Sequence, residues 1–359
     1  MIKNAPKIAA VATAIPEFRP TQDEAAGYIL DRFSAQLGRK GRLALKRIFG
    51  HPSIRTRHFA IDDPASFFNE GPDARIARFT EKALELSCRA LEAVLAKAGI
   101  NAGELDALIV NTCTGYICPG LSTYLIERLG MPRGIKAFDL VGAGCSGALP
   151  NMEMAAMVIN SNPGGIAACV SVEICSATFE MGGADDYGLI ISNALFSDGA
   201  AAAVIWGRPQ GLEVVSSKAR YVPELRESIR FVHKNGRLTN QISMGLPGLV
   251  GQHVKGVVMD AIAASDIGGN GSGIGGIGHW AIHAGGEKII DAVRDALGIP
   301  EEKTGPARKI LSEHGNMSSA TVWFVLEKII NSGVQAGQYC VMASFGAGLS
   351  AHCAILRQR

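Results

Sequence analysis

The chain has 359 residues, of which 47% are hydrophobic and 19% are charged, and its formal net charge is +2. This composition provides for a large buried core and is far from that of a disordered chain. The small net charge lacks the basic excess of a nucleic-acid-binding protein, and the apolar runs stop well short of the roughly 20 residues that cross a membrane. We therefore expect a globular protein without a membrane span.

Short apolar segments alternate with longer amphipathic segments through the first half of the chain. We predict strands at 8–15, 107–111, 135–140 and 166–173, and helices at about 24–49, 74–98, 121–129 and 146–160. This alternation is typical of βαβ units around a buried, mostly parallel sheet.

The second half repeats the alternation. We predict strands at 200–206, 212–219, 279–283, 309–311, 339–344 and 350–356, and helices at about 249–265, 286–297 and 319–331. The repetition predicts an α/β fold built from two duplicated halves, residues 1–210 and 211–359.

One glycine-rich stretch, 267–278, contains the G-x-G-x-x-G pattern of dinucleotide-binding proteins at 271–276. A predicted helix precedes it and a strand follows, whereas phosphate binding requires a strand before the turn and a helix after it. We therefore expect a flexible linker.

Eight cysteines would allow four disulfides, but they lie within apolar segments of a chain whose core needs no covalent staples. We expect reduced thiols and a cytoplasmic protein. The spacings between Cys113 and Cys118 and between Cys169 and Cys175 miss the two-residue spacing of a zinc knuckle, so no metal site is expected.

Three segments carry candidate catalytic residues. Cys145 stands in a turn of small residues between a predicted strand and a long apolar helix, where unpaired backbone N–H groups favour the thiolate. His283 stands at the carboxyl end of a predicted strand, which is where open α/β sheets place their sites. Asn316 again follows a predicted strand. Each residue also has a structural interpretation: core packing for the cysteine and the histidine, and a helix N-cap for the asparagine.

Together these segments resemble the type III polyketide synthases, the chalcone/stilbene synthase-like branch of the thiolase superfamily, in their bacterial form. The resemblance rests on the Cys145 turn and on the stretches 194–199, 279–290, 311–319 and 345–348, which occur in the family's order at similar separations. With the opening segment 8–16, the resemblance spans nearly the whole chain.

The resemblance implies a homodimer with a layered αβαβα thiolase-like fold and a buried site at the end of a CoA tunnel. It implies that the first half carries the nucleophile, Cys145, and that the second half carries its partners, His283 and Asn316. Phe196 resembles the aromatic gatekeeper between tunnel and cavity. Further positions resemble residues that line the cavity: Cys113, Thr114, Cys175, Thr178, Ser318 and Phe345.

The implied reaction needs no cofactor, because CoA thioesters are the substrates. Arg47 matches a CoA-phosphate contact of the family best, with Lys46 and His51 as neighbours. Cys118 resembles a residue that reaches across the dimer interface.

The expected activity is that of an acyltransferase that loads an acyl-CoA starter on Cys145, extends it with malonyl-CoA by decarboxylative Claisen condensation, and releases a pyrone, a resorcinol or a related ring. A ketoacyl synthase that uses a carrier protein is the alternative. A non-catalytic partner subunit is a remote one, since such subunits typically lack the nucleophile. The loop 344–348 reads Ser-Phe-Gly-Ala-Gly where the family has a proline, so the cyclisation mode is left open.

Overall fold

The computed structural model describes residues 5–183, 186–269 and 273–359. Its helices are α1 Gln22–Phe49, α2 Pro64–Phe67, α3 Pro72–Ala98, α4 Leu121–Arg128, α5 Ala148–Ser161, α6 Tyr187–Leu195, α7 Leu246–Ala263, α8 Asp266–Gly269, α9 Glu287–Leu297, α10 Gly305–His314 and α11 Thr321–Asn331. Its strands are β1 Lys7–Ala14, β2 Ala107–Asn111, β3 Lys136–Leu140, β4 Ile166–Glu173, β5 Gly199–Trp206, β6 Leu212–Tyr221, β7 Ile229–Lys234, β8 Arg237–Ile242, β9 Ile277–Ile282, β10 Tyr339–Gly346 and β11 Ser350–Gln358.

Nine of these strands form one sheet in the order β3-β2-β4-β5-β1-β6-β11-β10-β9, and β7 and β8 form a separate hairpin. The first five strands in this order, β3 to β1, come from the first half of the chain. The last four, β6 to β9, come from the second half. β1 and β6 are joined only by the pairs Lys7–Glu213 and Ile8–Leu212, so the sheet has two lobes.

Apolar side chains on both faces of the strands produce the layers. In β2, Leu108 and Val110 pack into the cluster that includes α3, whereas Ile109 packs into the cluster that includes α5. Helices α5 and α11 contact strands of both lobes, while α3 covers the outside of the first lobe and α7 covers that of the second. The five layers are therefore helix, sheet, helix, sheet and helix, as the αβαβα expectation requires.

Two expectations about the sheet are wrong. Five of its eight strand pairings are antiparallel, because β1 and β4 both pair antiparallel with β5, β6 pairs antiparallel with β1 and β11, and β11 does so with β10. The segment 309–311 is not a strand but the middle of α10. Its Ala307, Ile310 and Leu311 are buried at helical spacing.

The glycine pattern at 271–276 lies partly outside the described residues, as does the linker expected there; within the described part, α8 precedes it and β9 follows it. No helix of the described ranges is long and apolar enough to cross a membrane.

Candidate active site

Cys145 lies in the short 3-10 turn Gly144–Ser146, directly before α5. The turn requires glycine at 144, because its φ is +57° and a Cβ atom there would lie 2.9 Å from the backbone nitrogen of Ala347. The loop after β10 thus packs directly on the turn that carries Cys145. The Cys145 side chain is buried, and its Sγ accepts a hydrogen bond from Ser318 Oγ at 3.3 Å.

Ser318 connects Cys145 to the asparagine predicted as its partner. The backbone N–H of Ser318 donates to Asn316 Oδ1 at 2.9 Å, and its Oγ also lies 3.2 Å from Cys113 Sγ. Ser318 has a φ of +48°, a left-handed conformation that costs a non-glycine residue about 1 kcal/mol or more. In that conformation the Ser318 hydroxyl contacts both the Cys145 and the Cys113 sulfur atoms.

The amide of Asn316 has a fixed orientation. Its Oδ1 accepts from the Ser318 N–H and from Thr321 Oγ1 at 3.3 Å, while its Nδ2 donates to the carbonyl of Gly285 at 3.3 Å. Since Nδ2 carries two hydrogens, one N–H remains for a further acceptor.

His283 directly follows β9, as the sequence predicts, and its backbone N–H donates to Ala343 at 2.9 Å. Its ring meets Phe345 edge to face at a centroid distance of 5.4 Å, and its Nδ1 has no hydrogen-bond partner in the described parts of the chain. Gly285 lies against the same ring, since a Cβ there would stand 3.3 Å from Nε2. Asn316 therefore touches the loop that carries the imidazole.

The protonation states differ from the expected thiolate. Burial raises the pKa of Cys145 to about 12 and lowers the pKa of His283 to about 3. The expectation that the helix N-terminus lowers the pKa of Cys145 is wrong, because desolvation of the thiolate is the larger effect. The resting pair is a neutral thiol and a neutral imidazole.

A buried carboxyl group borders the site, and the sequence analysis missed it. Glu173 ends β4 and accepts hydrogen bonds from the Cys113 N–H at 3.0 Å, from Thr114 Oγ1 at 3.0 Å and from Ser319 Oγ. Burial raises its pKa. The available signal was a charged residue at the end of an otherwise apolar strand.

Phe196 lies beside Asn316. The backbone N–H of Asn316 donates to Leu195, and the Asn316 carbonyl accepts from the N–H of Ser197, both at 2.9 Å. Arg57, which the sequence analysis also missed, is buried and donates through Nη1 to the carbonyl of Phe196 at 2.9 Å. Burial lowers the pKa of Arg57 to about 9.

An apolar cavity adjoins these residues. Cys175, Thr178 and Phe196 line it, whereas the other positions expected at the cavity are not among its lining residues: Cys113, Thr114, Ser318 and Phe345. The rest of its wall includes six aromatic side chains: Phe18, Tyr28, Phe59, Phe67, Phe68 and Phe179.

The residues expected to contact CoA lie at the C-terminal end of α1. Lys46 and Arg47 are exposed and make no ion pair or hydrogen bond through their side chains with the described residues. His51 Nε2 lies 3.4 Å from a carboxylate oxygen of Glu287, which begins α9 just after the His283 loop. The end of α1 therefore borders the loop that carries the imidazole.

A stacked histidine pair, His58 and His314, lies next to the Asn316 segment, since His314 is two residues before Asn316. The ring centroids are 5.2 Å apart, and Nδ1 of His58 lies 3.0 Å from the carbonyl of Pro16. Burial lowers the pKa of both rings, that of His314 to about 4.

Among the described residues, no group of three or more histidine, cysteine, aspartate or glutamate side chains is arranged to hold a metal ion. The site offers a thiol, an imidazole, an amide donor and a buried carboxyl group. These groups can form and break a thioester and can stabilise an oxyanion.

Comparison with known proteins identifies the family. Residues 60–237 match the family described as FAE1/Type III polyketide synthase-like protein, and residues 213–358 match the chalcone and stilbene synthases, C-terminal domain. The chain is 30% identical to the 3,5-dihydroxyphenylacetyl-CoA synthase of Streptomyces toyocaensis, over 98% of this chain and 90% of that protein. It is also 30% identical to the 1,3,6,8-tetrahydroxynaphthalene synthase of Streptomyces peucetius subsp. caesius, over 99% and 94% of the two chains.

The fold agrees with that assignment. The crystal structure of PKS-I from the brown alga Ectocarpus siliculosus superposes with a TM-score of 0.88 at 28% identity, covering 99% of this chain and 98% of that one. The chain belongs to the type III polyketide synthases, condensing enzymes that transfer acyl groups from CoA thioesters.

Proposed function

We propose that Cys145 carries the growing acyl chain and that His283 and Asn316 activate malonyl-CoA beside it. The observation that carries this proposal is the run of contacts from Cys145 Sγ through Ser318 to the Asn316 amide and on to the Gly285 carbonyl next to His283. These contacts join the residue from the first half of the chain to the two from the second.

Loading begins with a neutral pair. The Cys145 thiol gives its proton to His283, and the thiolate attacks the carbonyl carbon of the acyl-CoA. The carbon–sulfur bond to CoA breaks, the proton passes from His283 to the departing CoA thiolate, and the acyl group stays on Cys145.

Extension uses two donors on one oxygen. In the neutral tautomer that carries its proton on Nε2, His283 donates this N–H to the thioester oxygen of malonyl-CoA, and Asn316 donates its remaining N–H to the same oxygen. Negative charge develops on that oxygen as carbon dioxide leaves. The enolate carbon then attacks the acyl-enzyme, the new carbon–carbon bond forms, and the Cys145 thiolate is released. Each such donor is typically worth about 2.7–4 kcal/mol.

An apolar starter fits the cavity beside Phe196. Its aromatic side chains bind hydrocarbon better than water, and the small side chains of Cys175 and Thr178 leave space on the same wall. Replacing Ala25, which lines the same cavity, with leucine should shift the preference toward shorter acyl-CoA starters. We assign no particular ring to the product, because the loop 344–348 lacks the family's proline.

We also propose a homodimer. β3 lies at the edge of the sheet with its backbone groups unpaired on one side, and its residues are mostly exposed. Tyr116, Val141 and Met157 are 72%, 61% and 55% exposed, which is unusual for large apolar side chains. The exposed Cys118 lies close to Tyr116 in the chain, in the position that the family brings to its interface.

We further propose that CoA thioesters are the only small molecules that the reaction requires. Their phosphates would be bound by Lys46, Arg47 and His51. The eight thiols are all unpaired, which suits a reducing cytoplasm. The experiment is product analysis by mass spectrometry with a panel of acyl-CoAs and malonyl-CoA, without any carrier protein. Cys145→Ala should abolish condensed products, whereas the control Cys88→Ala, in α3, should keep them; condensed product from Cys145→Ala refutes the proposal.

A further inference from the structure

The second segment of α1 presents a basic face that the proposed reaction does not fully use. Gly38 has non-helical angles (φ 57°, ψ −171°) that break α1, and the helix then continues to Phe49. We define the basic face as Arg39, Lys40, Leu43, Lys46 and Arg47. Their spacing places them on one side of the helix, and all five are exposed, Leu43 to 61%.

The four cations of the basic face have no counterions. None of them lies within 4.0 Å of a carboxylate or donates a side-chain hydrogen bond to a described residue, although the chain as a whole is almost neutral. By contrast, Arg55 and Lys309 share Glu313, and Arg308 pairs with Asp291. Unpaired like charges on one helix face repel each other, and a partner of opposite charge removes that repulsion.

The basic face extends along α1 away from the helix end that borders the His283 loop. His51, which follows Arg47 in the chain by four residues, contacts Glu287. Arg55 donates from its backbone to the carbonyl of Ser312 at 2.8 Å and from its side chain to Ser312 Oγ at 3.0 Å. These contacts place the end of α1 beside the loops of His283 and Asn316. From Arg47 back to Arg39, the face extends about 12 Å at 1.5 Å per residue.

The phosphates of CoA account for the near end only. Lys46 and Arg47 are the residues we assign to them, whereas Arg39 and Lys40 lie about two turns further out. An exposed leucine between two pairs of cations adds nothing to phosphate binding. It does suit a helix–helix contact, where an apolar centre is surrounded by charged residues.

We propose that the basic face docks an acidic helix of a carrier protein that presents a starter as an acyl-phosphopantetheine thioester. The proposal rests on the proposed function, because the carrier's prosthetic group and CoA share the same pantetheine arm and thioester. The chemistry at Cys145 is unchanged: the thiolate attacks the acyl carbonyl, and the carrier's pantetheine thiol leaves in place of CoA. Charge complementarity selects this partner and speeds its encounter.

The test compares two donors of one acyl group at low ionic strength. Octanoyl-CoA and an acidic bacterial carrier protein charged with octanoyl-phosphopantetheine are each mixed with the full chain, and octanoylation of Cys145 is followed by intact-protein mass spectrometry. The double variant Arg39→Glu/Lys40→Glu is the perturbation. Lys218→Glu/Lys255→Glu, on exposed residues of β6 and α7, is the control with the same change in charge.

We expect loading from the carrier to fall at least about tenfold in the basic-face variant, with loading from octanoyl-CoA within about twofold of wild type. The control variant should load from both donors like wild type. Added salt should slow the carrier reaction more than the CoA reaction.

Wild type that loads from octanoyl-CoA but not from the carrier overturns the inference and leaves the proposed function intact. Equal losses with both donors also overturn it, because the face would then serve CoA. Charge-dependent binding to phosphatidylglycerol vesicles, with carrier loading unaffected by the variant, overturns it in favour of a membrane partner. No loading from octanoyl-CoA in wild type contradicts the proposed function itself.

Discussion

Replacing Asn316 with alanine removes one of the two donors that we assign to the enolate oxygen. The remaining N–H of Nδ2 is the one lost to catalysis, since the other donates to Gly285. Loss of a single oxyanion donor typically lowers the rate 10²–10³-fold, or about 2.7–4 kcal/mol. We expect malonyl-CoA decarboxylation to fall by about that factor, while octanoylation of Cys145 from octanoyl-CoA falls much less, because that step does not use the malonyl enolate.

The substitution also has a structural cost. It leaves the Ser318 N–H and the Gly285 carbonyl without their partner, which costs about 1–3 kcal/mol for each buried group that stays unsatisfied. Thermal unfolding therefore accompanies the assay. Thr321→Val is the matched control, because it removes only the 3.3 Å bond to Asn316 Oδ1 and keeps the donor; it should reduce decarboxylation by about fivefold, in line with a net 1 kcal/mol.

The assay follows conversion of malonyl-CoA to acetyl-CoA by chromatography, without a starter. Decarboxylation at the wild-type rate in a folded Asn316→Ala protein would show that the amide does not stabilise the enolate. An equal loss of Cys145 acylation would instead assign Asn316 to the shape of the site as a whole.

Three further predictions use the same structure. Because burial raises the pKa of Cys145 to about 12, its alkylation by iodoacetamide should accelerate about tenfold per pH unit from pH 7 to 10, after the exposed Cys118 has reacted; a plateau near pH 6, read by peptide mapping, would contradict this. His314→Phe should flatten the pH dependence of unfolding: the folded pKa of about 4 lies below the ordinary value of 6.5, so the unfolded state binds more protons and stability is lost as pH falls from 6.5 toward 4. An unchanged slope in urea titrations between those pH values would refute the assignment. Gly285→Ala should impair condensation without unfolding the protein, because its Cβ would stand 3.2–3.3 Å from the ring of His283; a wild-type rate would show that the ring can shift at no cost.

Much of the fold could be predicted because its strands are continuous apolar runs. The predicted bounds of 107–111 and 166–173 are those of β2 and β4. The segment 309–311 was misassigned because a three-residue apolar run fits either a strand or one turn of a helix. Pro306 in the first turn and the spacing of Ala307, Ile310 and Leu311 were the helix signals.

The hairpin of β7 and β8 was also detectable. Asn235 and Gly236, both with positive φ, form its turn, and Asn-Gly is a strong hairpin signal. The direction of the strands was not detectable, because α6 between β4 and β5 suits a parallel crossover as well as the antiparallel pairing that the structure has. The division into halves at residue 210 stays a prediction.

The site was predictable in its residue types but not in its connections. Cys145, His283 and Asn316 follow from local sequence and from the resemblance, yet the hydroxyl of Ser318 that links them comes from a left-handed conformation that no propensity indicates. The prediction of a lowered pKa for Cys145 was wrong for a related reason. The helix N-terminus is visible in sequence, whereas the burial that outweighs it depends on residues far apart in the chain.

The most direct test of the proposed chemistry is the location of the acyl group. The full chain is incubated briefly with octanoyl-CoA alone, quenched in acid, digested and mapped by tandem mass spectrometry. We predict one octanoyl thioester, on Cys145, that disappears when malonyl-CoA is added. An octanoyl group on Cys113 or Cys175 instead, or an adduct on Cys145 that malonyl-CoA does not discharge, would contradict the role of Cys145 as carrier of the growing chain.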